Sequence, residues 1–340
     1  MRVKQGFLEP NGIDIARSMA CFLVVLIHVA GIRFGEFGEG WWASNAFDSV
    51  ARCSVTVFFM ISGALLLTRQ EEITSFYKKR VLRIFPPIFF WSVIYMLYFG
   101  VPGKSAIESL MLIFNGPVMT HLWYLYAIIG LTMFVPFLGM IYRSCNQVEK
   151  RLFIGVWLVV SAIMPLAWDI FEIKTNPVQV YNLGSFTGFM GLFFLGAYLY
   201  EHKKQRSWIV LGLYAFGFAV FGLVIAMLTH HFSIERKVPI EVFYGYQSIF
   251  VVLAAVCLFS FAVCLPALNG WLAKLVRYIS DCSLGIYCLH PLVLFVSMKV
   301  FGGGIAVGWI PVALTTVCVF LVTSVAIKLA RFAPWARHIA

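Results

Sequence analysis

Long apolar runs separated by short polar segments dominate the hydrophobic pattern of this chain. A helix that crosses the ~30 Å hydrocarbon core of a bilayer needs about 20 apolar residues. The pattern therefore predicts an all-α polytopic bundle of about ten transmembrane helices, forming one membrane domain over residues 1–340. The predicted spans cover residues 13–32, 48–68, 84–100, 122–142, 152–169, 183–200, 208–228, 244–264, 279–299 and 307–327.

Composition and charge agree with this class of protein. The chain is 61% hydrophobic and 12% charged, whereas about a quarter of the residues in soluble domains are charged. If both termini are cytoplasmic, the inner segments hold eighteen lysines and arginines and the outer segments hold six. This positive-inside bias attributes the net charge of +11 to membrane orientation and not to nucleic-acid binding.

Two further patterns concern the shorter segments and the cysteines. The apolar stretch AIESLMLIF, residues 106–114, suits a short interfacial or re-entrant helix better than a crossing. The first span lacks a small-residue cleavage site, so we interpret it as retained. The eight cysteines have no metal-ligand spacing, so we interpret them as structural thiols and expect no metal site and no disulfide.

The first span carries Asp14, Arg17 and His28, and the last two are eleven residues apart. A charge at the centre of a bilayer costs ~2.5–3.5 kcal/mol, so its retention indicates pairing or function. Eleven residues return a helix almost to the same face, so both side chains are predicted to face one neighbour at depths ~16 Å apart. The alternatives are an arginine that snorkels to head groups and a histidine bonded to a neighbouring helix.

A basic segment, SFYKKRVLRIFPP, comes directly before the third predicted span. Arg80 and Arg83 in it are three residues apart and share a helical face. Forked guanidinium groups suit the phosphates of a ligand that enters from the cytoplasm, whereas positive-inside anchoring is the simpler explanation. The tandem prolines that follow are predicted to fall in the first turn of the helix or to unwind it.

The second span contains an acid–base pair and a small-residue motif. Asp48 and Arg52 have the i, i+4 spacing of an ion pair near the outer end. In the motif FFMISG, Ser62 and Gly63 are small residues, which usually indicate close packing of helices and less often a ligand contact.

Histidines also mark the fourth and ninth spans. His121 opens the segment HLWYLY, whose aromatic residues are typical of an interfacial belt, and this pattern favours an exposed interfacial histidine. His290 lies near the middle of the ninth span in SLGIYCLHP, beside Pro291 and three residues after Tyr287. A tyrosine–histidine pair at a proline kink within the membrane is a candidate for part of a site.

These motifs, in this order and spacing, resemble the acyltransferase family 3 membrane proteins over residues 10–327. Within the family the chain is most similar to stand-alone bacterial O-acetyltransferases, such as the one that modifies enterobacterial common antigen. One departure is Ser18, where relatives often have glycine after the arginine of the first-span motif.

The resemblance implies a ten-helix, multi-pass protein of the bacterial inner membrane. It implies transfer of an acyl group, usually acetyl, from cytoplasmic acetyl-CoA to a sugar hydroxyl of a surface or lipid-linked glycan. It further implies that His28 is the catalytic histidine with Arg17 as its motif partner, and that Arg80 and Arg83 hold the coenzyme A phosphates.

Several roles stay open at this point. His28 is expected to act either as a general base or as a transient acyl carrier. Tyr287 and His290 are expected to line the acceptor side or to polarise the oxyanion, and His121 to hold sugar hydroxyls. A secondary transporter of a proton or small anion that uses the same residues is the main alternative, and a sensor or scaffold without chemistry is another.

Overall fold

The structure is a computed structural model that describes residues 12–35, 37–100, 105–172, 177–181, 183, 188–302 and 307–339. Within these ranges all regular secondary structure is helical. Nine helical segments of the described chain are long and apolar enough to cross a membrane. The predicted bundle of membrane-spanning helices is confirmed.

The helices follow one another along the chain with short connections. A π-helical segment, Leu158–Ile163, joins the seventh and eighth helices, and short 3₁₀ turns occupy Thr120–Leu122, Val242–Tyr244 and Pro334–His338. The α-helices are α1 Gly12–Gly31, α2 Trp41–Ala51, α3 Cys53–Leu66, α4 Ile73–Phe99, α5 Ala106–Asn115, α6 Trp123–Ser144, α7 Gln147–Trp157, α8 Met164–Phe171, α9 Pro177–Val180, α10 Met190–Glu201, α11 Trp208–Arg236, α12 Ile249–Cys264, α13 Gly270–Phe301 and α14 Trp309–Ala330.

Nine of the ten predicted spans correspond to such membrane-length segments. The exception is residues 183–200, where the structure has α10, a helix of 12 residues; residues 184–187 lie outside the described part of the chain. The short helix predicted at residues 106–114 is α5, which begins with a reciprocal capping box between Ser105 and Glu108.

Helix α1 lies at the centre of the bundle. It packs against α2, α3, α12, α13 and α14, and its 78% buried fraction is the highest among the nine spans. A helix that is apolar on all sides is expected in such a position. Arg17 and His28 both contact α13, through Ser280 and His290 respectively. The prediction that the two side chains face one neighbour is confirmed.

Close packing of α3 against α10 depends on two glycines. A Cβ at Gly63 would lie 2.1 Å from the carbonyl oxygen of Phe193, and one at Gly196 would lie 2.1 Å from that of Met60. Reciprocal contacts of this kind require small residues on both helices. The packing role predicted for the FFMISG motif is confirmed at Gly63.

Helix α4 begins earlier than the apolar pattern predicts. The Glu72 carboxylate caps it by accepting hydrogen bonds from the backbone of Thr74 and Ser75 at 2.8 and 2.6 Å, so the basic segment is the first part of the helix. The prolines at 86 and 87 lie inside α4, which continues to Phe99. The prediction that they start or unwind the helix is wrong, because the cap nucleates the helix upstream of them.

Candidate active site

A cavity opens at one end of the bundle between α1, α3, α4, α6 and α13, with a volume of about 170 Å³. The N-terminal half of α1 and the N-terminal part of α4 supply its basic side chains, which are Arg17, Arg80 and Arg83. We call it the arginine cavity. The i, i+3 spacing of Arg80 and Arg83 brings both to one face of α4, as the sequence predicts.

The three guanidinium groups carry more positive charge than their neighbours neutralise. Arg17 donates to Ser280 at 3.1 Å and lies 4.0 Å from Asp14. Arg80 lies 3.8 Å from Glu71, and its Nε is buried without a hydrogen-bond partner in the described residues. Arg83 is exposed at the cavity mouth. The arrangement suits an anion with several oxygen acceptors, because each guanidinium presents a fork of donors.

Two tyrosines close the inner end of the arginine cavity. Tyr124 and Tyr287 line it, and their ring centroids are 5.8 Å apart. The Tyr287 hydroxyl donates a hydrogen bond to the carbonyl oxygen of His121. Ser62 also lines this cavity, so the second span combines a packing glycine with a cavity hydroxyl.

Three histidines meet directly behind this tyrosine layer. The ring centroids of His28 and His290 are 4.7 Å apart, and that of His121 is 6.2 Å from His28 and 5.9 Å from His290. His28 lies on α1, His121 lies in the turn before α6, and His290 lies on α13. The structure therefore brings three sequence-predicted residues into one cluster and places Arg17, on the same helix as His28, in the arginine cavity instead.

Hydrogen bonds define which nitrogen of His28 is available for chemistry. Its Nδ1 lies 2.7 Å from the carbonyl oxygen of Val24 and 3.2 Å from Nε2 of His290. A carbonyl can only accept, so the neutral His28 ring carries its proton on Nδ1 and keeps a lone pair on Nε2. The same reasoning protonates Nδ1 of His290, which lies 3.0 Å from the carbonyl of Ile286, and leaves its Nε2 as an acceptor for His28.

His121 is buried, with 5% of its surface exposed. Its ring packs edge-on against Tyr95 and Tyr287, with centroid distances of 5.1 and 5.8 Å. The Nε2 atom is buried and has no hydrogen-bond partner among the described residues. The prediction of an exposed interfacial histidine is wrong, because the HLWYLY segment enters the bundle and does not lie along its rim; Tyr124 of the supposed belt lines the arginine cavity.

The predicted pair of Asp48 and Arg52 forms, and it is buried. Two hydrogen bonds join the groups at 2.5 and 2.9 Å, and the Asp48 carboxylate is fully buried. The guanidinium of Arg52 also lies over the ring of Tyr244 at 4.2 Å. Bidentate geometry of this kind orders the surrounding side chains.

Sequence reasoning missed the contributions of several residues to the site. Tyr95 donates to the carbonyl of Cys288 at 2.9 Å and packs on His121. Ser280 joins Arg17 to Asp14. The Ser280 hydroxyl donates a hydrogen bond to the Asp14 carboxylate at 2.7 Å. The local sequence around each of them is ordinary for a membrane helix, and only helix packing reveals the roles.

The cationic cavity in this bundle of helices leads to a cluster of three histidines, of which His121 and His290 are buried. The family model Acyl_transf_3, described as an acyltransferase domain, matches residues 11–330. The chain belongs to this family and is a membrane acyltransferase. No curated protein and no solved structure matches the chain.

Proposed function

We propose that this protein transfers an acetyl group from cytoplasmic acetyl-CoA to a hydroxyl group of a lipid-linked or surface glycan, across the inner membrane of a bacterium. One observation carries the proposal: the arginine cavity ends at a tyrosine layer, and the cluster of His28, His121 and His290 lies directly behind that layer. The resemblance of the sequence motifs to bacterial O-acetyltransferases supports acetyl as the acyl group and a glycan as the acceptor.

The donor binds in the arginine cavity. Arg80 and Arg83 hold the phosphates of coenzyme A, and Arg17 holds a group deeper in the same cavity. The buried, unpartnered Nε of Arg80 supports this assignment, since a phosphate oxygen satisfies it. The pantetheine arm points toward Tyr124 and Tyr287, which turn aside to admit the thioester.

His28 acts as the general base. Its Nε2 takes the proton of the acceptor hydroxyl while the hydroxyl oxygen forms a bond to the thioester carbonyl carbon. The carbon–sulfur bond breaks, and the departing coenzyme A thiolate takes the proton from His28. During this cycle the Nδ1–H of His28 stays bonded to Val24 and His290, which orients the ring.

His290 is therefore assigned as a positioning residue on the far side of the His28 ring, and not as an acceptor contact. Its Nε2 lone pair faces Nδ1 of His28 and stabilises the positive charge that develops there. The free Nε2 of His121 accepts from a sugar hydroxyl. Tyr287, whose hydroxyl leaves the His121 carbonyl when the ring turns, donates to the oxyanion.

A secondary transporter, the alternative that the residues alone permit, is not favoured by membership in an acyltransferase family. The two functions differ in a measurable way. Acyl transfer releases one thiol for each acetyl-CoA consumed, whereas transport through the same histidines leaves acetyl-CoA intact.

The first prediction tests His28. The purified chain in proteoliposomes receives acetyl-CoA and a glycolipid extract of bacterial membranes, and free thiol and acetylated glycolipid are measured. His28→Ala should lower the transfer rate by about 10²- to 10⁴-fold, the usual contribution of general base catalysis.

A matched control is His202→Ala. Nδ1 of this exposed histidine contacts the carbonyl four residues earlier, at 2.8 Å, much as that of His28 does. The control should keep the wild-type rate. A folded His28→Ala protein with wild-type transfer would contradict the proposed chemistry.

A further inference from the structure

A second cavity opens at the opposite end of the bundle from the arginine cavity. Its volume is about 330 Å³. Helices α7 and α8 run from the arginine end to this end, and the segment before α12 starts here. We call it the distal cavity; it is lined by Ser161, Ala162, Pro165, Leu166, Asp169, Phe189, Val242, Gly245, Tyr246, Gln247 and Ser248.

The lining of the distal cavity combines polar groups with aromatic faces. Three hydroxyls, an amide and the Asp169 carboxylate offer donors and acceptors, while Phe189 and Tyr246 offer ring surface. Among the described residues that line it, none is a lysine or an arginine. A sugar ring, with hydroxyls at its edge and C–H groups on its faces, matches this mixture. A phosphate does not, because the one charged side chain among these lining residues is a carboxylate. The nearby Arg236, which donates to the Asp169 carbonyl at 3.2 Å, is paired with Glu172 at 3.7 Å.

The hydroxyl of Ser248 is a second, independent indication of a bound ligand. It occupies the N-cap position of α12, but its hydroxyl makes no capping hydrogen bond. The side chain is 8% exposed, and its Oγ is buried without a partner in the described chain. A buried hydroxyl without a partner is unfavourable, and a serine at an N-cap normally satisfies itself on the helix. A hydroxyl of a bound molecule in the cavity would supply the missing partner.

The local backbone shapes the cavity. The π-helical segment Leu158–Ile163 contains Ser161, and such segments are frequent at functional sites.

The distal cavity connects to the reaction centre through stacked aromatic rings. The Tyr246 ring stacks on Trp123 with centroids 5.1 Å apart and an interplanar angle of 27°. The next residue after Trp123 is Tyr124, which lines the arginine cavity. The backbone of Tyr246 is fixed by α3, because Thr56 donates to its carbonyl at 2.7 Å. The stacked pair of Tyr246 and Trp123 therefore lies between a ligand in the distal cavity and the tyrosine layer.

We propose that the distal cavity binds the acceptor, specifically an uncharged sugar residue of the glycan, with any phosphate of a lipid carrier left outside the cavity. This inference rests on the proposed function. Ser248 and Gln247 bond the sugar hydroxyls, Asp169 accepts from them and repels anionic sugars, and Tyr246 and Phe189 pack on the ring.

Ser248→Ala supplies the main test in the thiol-release assay with acetyl-CoA and the glycolipid extract. Loss of one neutral hydrogen bond should raise the half-saturating extract concentration by about 3- to 10-fold, with the KM for acetyl-CoA unchanged. The matched control is Ser44→Ala, which removes another buried, unpartnered hydroxyl at a residue that does not line the cavity. This control should leave both values unchanged.

Competition by soluble sugars tests the charge preference. A methyl hexoside at high concentration should inhibit transfer to the extract, and glucose 6-phosphate should not. In Asp169→Asn, glucose 6-phosphate should begin to compete. Stronger inhibition of the wild type by glucose 6-phosphate than by the methyl hexoside would overturn the assignment.

The two proposals fail in different ways. If the wild type releases thiol in response to the extract while Ser248→Ala and Asp169→Asn behave like Ser44→Ala, the acceptor assignment is wrong and the proposed function stands. If the wild type releases no thiol in response to the extract, the proposed function is wrong and the inference falls with it.

Discussion

The arginine cavity and the distal cavity lie at opposite ends of one bundle and differ in chemistry. Three guanidinium groups line the first, with one of them tied to Asp14. The described residues that line the second offer hydroxyls, an amide and one carboxylate, and none of them is basic. The two sets of lining residues share no member.

This difference indicates that each end recognises a different kind of molecule. Positive charge concentrated at one end favours a polyanion there, and the neutral to acidic lining of the other end disfavours it. Two separate cavities also allow both substrates to be bound at once, as the proposed direct transfer requires. Changes in one cavity should therefore alter the KM of one substrate only.

Substitution of an arginine in the arginine cavity should have the largest effect on the KM of one substrate relative to the other. Arg80→Ala or Arg83→Ala removes charge-assisted hydrogen bonds and should raise the KM for acetyl-CoA by about 10- to 100-fold, while the half-saturating glycolipid concentration stays the same. Steady-state thiol release measures both values. Lys78→Ala, an exposed basic residue of α4 outside the cavity, is the control. An equal rise in both values would contradict the assignment of the two cavities to different substrates.

His290 belongs to neither cavity, so its substitution should lower kcat without altering either KM. His290→Leu removes one of the two acceptors for Nδ1–H of His28, leaves the Val24 carbonyl as the other, and should lower kcat by about 10-fold. His290→Gln keeps an amide oxygen in the side chain and should recover part of the loss. A purely structural role for His290 predicts no recovery by glutamine. The ratio of kcat for His290→Gln to kcat for His290→Leu distinguishes the two roles.

The smallest effect should come from an acidic neighbour of the arginine cavity. A hydrogen bond from Lys79 lowers the pKa of Glu71, so this half-buried carboxylate is charged at neutral pH and competes with phosphate for Arg80. Glu71→Gln should lower the KM for acetyl-CoA by about 2- to 3-fold, the scale of an exposed ion pair. Glu235→Gln, at the distal end, should not change it, and a rise in KM for Glu71→Gln would show that Glu71 supports the cavity.

Much of the bundle and part of the site could be predicted from periodic patterns. Apolar runs near 20 residues locate the spans, since the bilayer fixes their length. The eleven-residue interval between Arg17 and His28 predicts a shared neighbour because it is close to three full helical turns. The interval between Arg80 and Arg83 predicts a shared cavity face for the same reason.

The remaining features depend on how distant helices pack. His28, His121 and His290 belong to different segments, and no local pattern relates them. The aromatic residues after His121 have the composition of an interfacial belt, which is the same composition as a buried aromatic layer. Ser248 has the sequence of an ordinary helix cap, and only the structure shows that its hydroxyl leaves the helix unsatisfied.

The layer formed by Tyr124 and Tyr287 has a consequence for the cell as well as for the reaction. An enzyme with an opening toward each face of an energised membrane risks becoming a leak for protons and ions. Packed rings at the inner end of the arginine cavity, with the histidines directly behind, interrupt any such route. In the proposed reaction, the acyl group passes from donor to acceptor across this layer while the electrochemical gradient is preserved.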